Sequence, residues 1–126
     1  DWSIQTSTVD AHYVRKLGKK TSISPHFRWY EQSAANFYRR YLVQGELLSN
    51  YASADYRLGS FNATTMGLEG TRELAAGPTL RAALEYYAQR GDDHPAKAFG
   101  ALVGHDLFPS VTSWMVRIGA SMPVKW

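Results

Sequence analysis

Trp114, Val116, Ile118, Ala120, Met122, Val124 and Trp126 occupy alternate positions along one stretch of this chain, and all seven are apolar. Between them stand Met115, Arg117, Gly119, Ser121, Pro123 and Lys125, which are mostly polar or small. Side chains on a β-strand alternate between two faces, so this strict period of two makes a strand with one apolar face. The 3.6-residue period of a helix would scatter the same set around its circumference. Whatever this chain folds into must therefore house a long strand that is greasy on one side only.

The same alternation recurs upstream. Thr21 to Gln32 sets Ile23, Pro25, Phe27 and Trp29 against Ser24, His26, Arg28, Tyr30 and Gln32. Thr79 to Gln89 sets Leu80, Ala82, Leu84, Tyr86 and Ala88 against Arg81, Ala83, Glu85, Tyr87 and Gln89. A weaker pattern runs from Trp2 to Leu17, and Tyr56 to Leu74 is rich in Thr, Gly and small residues. Five strands are expected. Their connections alternate in length: short at Leu17–Lys20 and at Ala75–Pro78, long across residues 33–55 and from Gly91 through Asp106. Short turns on one side and long loops on the other are the arrangement of an outer-membrane β-barrel. The expected fold class is all-β, an antiparallel transmembrane β-barrel segment of about five strands. With an odd strand count below the eight of the smallest such barrels, residues 1–126 are expected to be the C-terminal portion of a single larger barrel domain.

One segment also fits a helix. Ala34, Phe37, Tyr38, Tyr41 and Leu42 follow the i, i+3, i+4, i+7, i+8 spacing of an amphipathic face, with Ser33 placed to cap it. A short helix within an extracellular loop is therefore part of the expectation.

Composition narrows the chemistry. The formal net charge is only +3 and no run of five like charges occurs, which argues against a nucleic-acid-binding surface. There is no cysteine, so disulfides, thiolate nucleophiles and thiolate metal sites are excluded. Aromatic residues make up 13% of the chain, and Tyr and Trp favour surfaces that are apolar at one end and wet at the other. No apolar run approaches the roughly 20 residues of a membrane-spanning helix. No nucleophile–base pair or phosphate-cradling glycine loop can be assembled, so no enzymatic activity, metal or cofactor is expected. His94 and His105 lie in the second long loop with Asp92, Asp93 and Asp106, at no ligand spacing characteristic of a metal site.

The stretch Arg117-Ile118-Gly119-Ala120-Ser121-Met122-Pro123-Val124-Lys125-Trp126 resembles the terminal signal by which outer-membrane barrels are captured for assembly. In that comparison Gly119, Met122, Val124 and Trp126 carry the signal, and barrel-assembly machinery and outer-membrane lipid become expected partners. Three further stretches are Ser24-Pro25-His26-Phe27-Arg28-Trp29-Tyr30-Glu31-Gln32-Ser33-Ala34-Ala35-Asn36-Phe37-Tyr38, Ser53-Ala54-Asp55-Tyr56-Arg57-Leu58-Gly59-Ser60-Phe61 and Glu85-Tyr86-Tyr87-Ala88-Gln89. Together they resemble the C-terminal third of an uncharacterised group of Gram-negative outer-membrane proteins, a domain of unknown function. That resemblance implies a longer barrel in the bacterial outer membrane, with a small envelope lipoprotein or a redox-related periplasmic protein as a partner.

If the apolar faces meet lipid, the opposite faces form a lumen. Asp10, His12, His26, Arg28, Tyr30, Arg81, Glu85, Tyr87 and Arg117 are then the expected lumen-facing polar network, since Arg or Lys turned to lipid near the midplane costs about 2–4 kcal/mol. The expected function is a channel, or an anchor for envelope partners. The alternative is a soluble secreted β-rich domain whose aromatic residues line a ligand site. In the first case the apolar faces form an outer belt; in the second they meet in a closed core.

Overall fold

The computed structural model describes residues 2–45, 47, 50–75, 77–91 and 98–122. Six strands form one antiparallel sheet: β1 (Thr6–His12), β2 (Arg15–Lys16), β3 (Thr21–Gln32), β4 (Phe61–Glu73), β5 (Thr79–Gly91) and β6 (Val111–Ser121). The order is β1-β3-β4-β5-β6, with β2 pairing to β3 beside β1. The sheet is open, leaving β1 and β6 as its edges.

β3 coincides with the expected strand from end to end, and β5 runs two residues further than expected. The first expected strand is divided into β1 and β2, and Pro25 explains why. Arg15 stands opposite Ile23, which carries the register to Tyr13 opposite Pro25. Tyr13 N–H donates to the Pro25 carbonyl at 3.1 Å, but proline has no N–H with which to return the bond. The two short turns are as expected. Leu17 N–H donates to the Thr21 carbonyl at 2.8 Å around Gly18, and Leu74 N–H donates to the Pro78 carbonyl at 2.8 Å around Gly77. Gly18 and Gly77 take φ of +87° and +99°, backbone conformations that strain any residue with a Cβ.

Two expectations are corrected. No α-helix forms among the described residues, so Ala34, Phe37, Tyr38, Tyr41 and Leu42 do not share a helical face. Backbone groups of this stretch are committed elsewhere: Ala35 N–H donates to Leu58, Asn36 N–H to Trp2, and at the parallel bridge between Tyr38 and Ser53 the Phe37 carbonyl accepts from Ser53 N–H. The Ser33 hydroxyl accepts from Gln5 N–H at 2.9 Å instead of capping a helix. The third expected strand, Tyr56 to Leu74, also starts late, at Phe61. Tyr56–Leu58 is a single 3-10 turn because the Asp55 side chain caps it, accepting from Arg57 N–H. Of the assembly-signal residues, Gly119 lies on β6 and Met122 just past it, whereas Val124 and Trp126 fall outside the described residues.

The chain divides into two compact units. One comprises Asp1–Thr8, Tyr30–Ala63 and Ala88–Val111 and carries the long connections. Its centre is aromatic. Phe108 is 3% exposed and packs at 5.9 Å from Phe61 and 6.1 Å from Tyr56, ring centre to ring centre, while Tyr30 lies 5.5 Å from Phe61. The other unit comprises Val9–Trp29, Thr64–Tyr87 and Thr112–Trp126 and carries the two short turns. It lacks an apolar core: Ala83 is its one buried apolar residue among those described, beside buried Ser24. Its large apolar side chains are outside, with Trp114 65%, Val116 69%, Ile118 84% and Met122 74% exposed.

Gly91 lies directly beneath the Phe108 ring, where a Cβ would overlap it. Gly91→Ala should therefore lower stability by about 1–3 kcal/mol, the range for overpacking. Gly104→Ala, whose Cβ would meet nothing within 4 Å, should stay within about 0.5 kcal/mol of the parent. Urea unfolding of both variants in the same detergent or buffer as the parent measures the difference.

Candidate functional site

β3 places His26 on the polar face of the second unit, between two acids from different strands. His26 Nε2 lies 3.3 Å from Asp10 Oδ1 on β1, and Nδ1 lies 4.0 Å from Glu85 Oε2 on β5. Arg117 on β6 extends the row, with Nη2 3.7 Å from the same Glu85 oxygen. Arg28 Nε stands 4.0 Å from Asp10 Oδ2, and the His12 ring centre is 5.8 Å from that of His26. Six residues from four strands thus form one network of mixed charge.

Gly67 makes the network possible. β3 and β5 are not neighbours; β4 runs between them, and adjacent strands are about 4.7–4.9 Å apart. Lys20 and Glu73 pair through the backbone at 2.8 Å, and Ser22 and Thr71 hydroxyls meet at 2.6 Å. That register sets Gly67 opposite His26. A Cβ on residue 67 would stand 3.5 Å from Glu85 Oε2 and 3.7 Å from His26 Cβ, so any side chain beyond a methyl would occupy the space across which His26 and Glu85 approach. Sequence reasoning selected the charged residues and missed the glycine between them. Its signal was a glycine inside an alternating strand, which marks close approach of neighbouring groups.

The remaining expected members are placed differently. Tyr30 belongs to the other unit, where its hydroxyl donates to Gln32 Oε1 at 2.8 Å. Tyr87, half-buried, and Arg81, exposed, stand two and four residues from Glu85 along β5, on its side of the strand.

The chemistry available to the row is limited. Both His26 ring nitrogens face carboxylates. No cluster suited to a metal ion occurs among the described residues. The row borders a depression of about 210 Å³, smaller than the roughly 300–1,000 Å³ of small-molecule sites. Asp10 is 50% and Arg117 70% exposed at the side chain, so each pair contributes about 0–1 kcal/mol. The row sets opposite charges beside one another on one sheet face.

Among the described residues of the long connections three groups titrate away from their ordinary values, the Arg57 guanidinium being raised by its hydrogen bond to Asp55. Hydrogen bonds from the Arg57 side chain and then its backbone N–H hold the Asp55 carboxyl below 3.8. Burial raises the Tyr38 phenol, opposed by nearby Arg40. Tyr38 packs against Gly59, where a Cβ would stand 3.1 Å from its ring.

A sequence profile described as "Protein of unknown function (DUF3570)" matches residues 1–122. The chain belongs to the DUF3570 family. No curated protein and no solved structure matches it. Family membership agrees with the resemblance to a domain of unknown function, and it leaves the activity of this DUF3570 chain to be argued from its own geometry.

Two outcomes follow from the site. Gly67→Leu should separate His26 from Glu85 and reduce the His26–Glu85 coupling in a double-mutant cycle, from about 0.5 kcal/mol toward zero. An unchanged coupling would show that Gly67 does not set the approach. Because the Asp55 pKa is lowered on folding, its contribution is present above pH 3.8 and is lost as pH falls through the folded value. The Arg57 backbone amide, followed by NMR, should titrate with a midpoint below 3.8, and Asp55→Asn should abolish the transition.

Proposed function

We propose that this DUF3570 chain is a segment of an outer-membrane β-barrel that serves as a channel or as an anchor for other envelope proteins. One observation carries the reading: in the unit with the short turns, the large apolar side chains stand outside while the charged residues gather on the opposite face. A soluble domain buries its apolar face. A transmembrane barrel turns that face to lipid and its polar face to the lumen. The row of Asp10, His12, His26, Arg28, Glu85 and Arg117 is then lumenal, and alternation along the strands sets Tyr30, Arg81 and Tyr87 on the same side.

The open edges support a larger barrel. Unpaired N–H and C=O groups are costly in hydrocarbon, so β1 and β6 require strand partners from further polypeptide. The mixed signs of the row favour a lumen knitted by ion pairs over a charge-selective pore, which uses rings of one sign. That balance favours the anchoring role, with an envelope lipoprotein or redox protein as the class of partner that the family resemblance suggests. Barrel-assembly machinery would recognise β6 and the residues after it.

Neighbouring positions on β6 test the reading. Ile118 is 84% exposed, so in a soluble domain Ile118→Arg should change stability by no more than about 0.5 kcal/mol. In a bilayer it should cost up to about 2–4 kcal/mol, according to its depth. Trp114 fluorescence, isolated by replacing the other tryptophans with Phe, should be quenched by brominated acyl chains in reconstituted vesicles. A soluble, cooperatively unfolding monomer in which Ile118→Arg is silent and Trp114 is unquenched would sink the proposal.

A further inference from the structure

In the unit with the long connections, Trp2, Phe37 and Tyr51 frame a depression of about 590 Å³, within the range of small-molecule sites. We propose that this depression binds a neutral sugar, with Trp2 and Tyr51 as stacking platforms. The walls come from three separate segments held by backbone hydrogen bonds. Asn36 N–H donates to the Trp2 carbonyl at 3.2 Å, Ser53 N–H to the Phe37 carbonyl at 3.1 Å, and Arg39 N–H to the Ser53 carbonyl at 2.9 Å. The Phe37 ring braces the indole edge-on, with ring centres 5.8 Å apart.

The lining selects the ligand class. Besides the three aromatic rings, the described residues that line it are Asn50, Ala52 and Ser53, none of them charged. Among these residues a phosphate, carboxylate or ammonium ligand would find no counter-charge. Trp2 and Tyr51 remain 60% and 78% exposed, presenting aromatic surface to an incoming group. A pyranose ring has the complementary chemistry: a C–H face that packs on an aromatic ring, and a rim of hydroxyls that both donate and accept hydrogen bonds. The Asn50 amide offers both kinds of partner, and the Ser53 hydroxyl, which accepts from Asp55 N–H at 3.2 Å, keeps its own O–H to donate. A wholly apolar ligand would leave those polar groups without use.

This site does not depend on whether the sheet faces lipid. The test is calorimetric titration of the full chain, in a sugar-free detergent where detergent is needed, with maltohexaose and chitohexaose as probes. Saturable binding of at least one probe is expected. Trp2→Ala and Tyr51→Ala should each weaken it about tenfold, the effect of losing one stacking partner, while Trp114→Phe should leave it unchanged. Asn50→Asp, which adds a charge at nearly constant volume, should also weaken it. If Trp2→Ala fails to fold, Tyr51→Ala, at an exposed position, still decides. No binding of either probe at 10-millimolar order, or binding indifferent to Tyr51→Ala and Asn50→Asp, would overturn the assignment.

Discussion

A β-strand has two faces, and the sheet of this chain depends on how they are divided. On β6, alternation sets Trp114, Val116 and Ile118 on one side and Met115, Arg117 and Gly119 on the other. Tyr86 of β5 packs 4.8 Å from Trp114 on the apolar side, and Glu85 reaches Arg117 on the polar side. A one-residue slip would exchange the two sets throughout the strand. The ion pairs and ring contacts thus hold the same register from opposite faces.

On the polar face the decisive element is an absence of side chain. His26 and Glu85 lie on strands separated by β4, and they approach because Gly67 leaves the intervening place empty. Asp10 and Arg117 then extend the row to both edges of the sheet. Each pair is weak because it is partly solvated. Sharing Glu85 between His26 and Arg117 makes the row more than a set of separate contacts.

The long connections obey different physics. They have no alternating face to bury, and they are organised by aromatic packing around Phe108 and by backbone bonds between distant segments. The stretch from Ser33 to Leu42 shows the contest directly. Its spacing suits a helix, yet Ala35 and Asn36 donate their backbone N–H groups to Leu58 and Trp2, and the Phe37 carbonyl accepts from Ser53 N–H. Short helices are marginal on local energy alone, so partners far along the chain prevail. The same segment thereby brings Phe37 against Trp2 and builds the aromatic depression.

The sequence by itself determined the course of β3 and β5, the two short turns and the alternation of side chains along each strand, because those depend on period two and on the positive φ of residues such as Gly18 and Gly77. It also marked His26, Glu85 and Arg117 as residues of one polar side, since parity along a strand is a local property. Which of those residues meet was decided only in the folded sheet. His26 finds Asp10 and Glu85, while Tyr30, on the same strand, turns to Gln32 and Phe61. The interruption at Pro25, the opening left by Gly67 and the unwinding of the expected helix belong to the same class. Each depends on what stands opposite across the sheet or returns from a distant loop, and no local period encodes that.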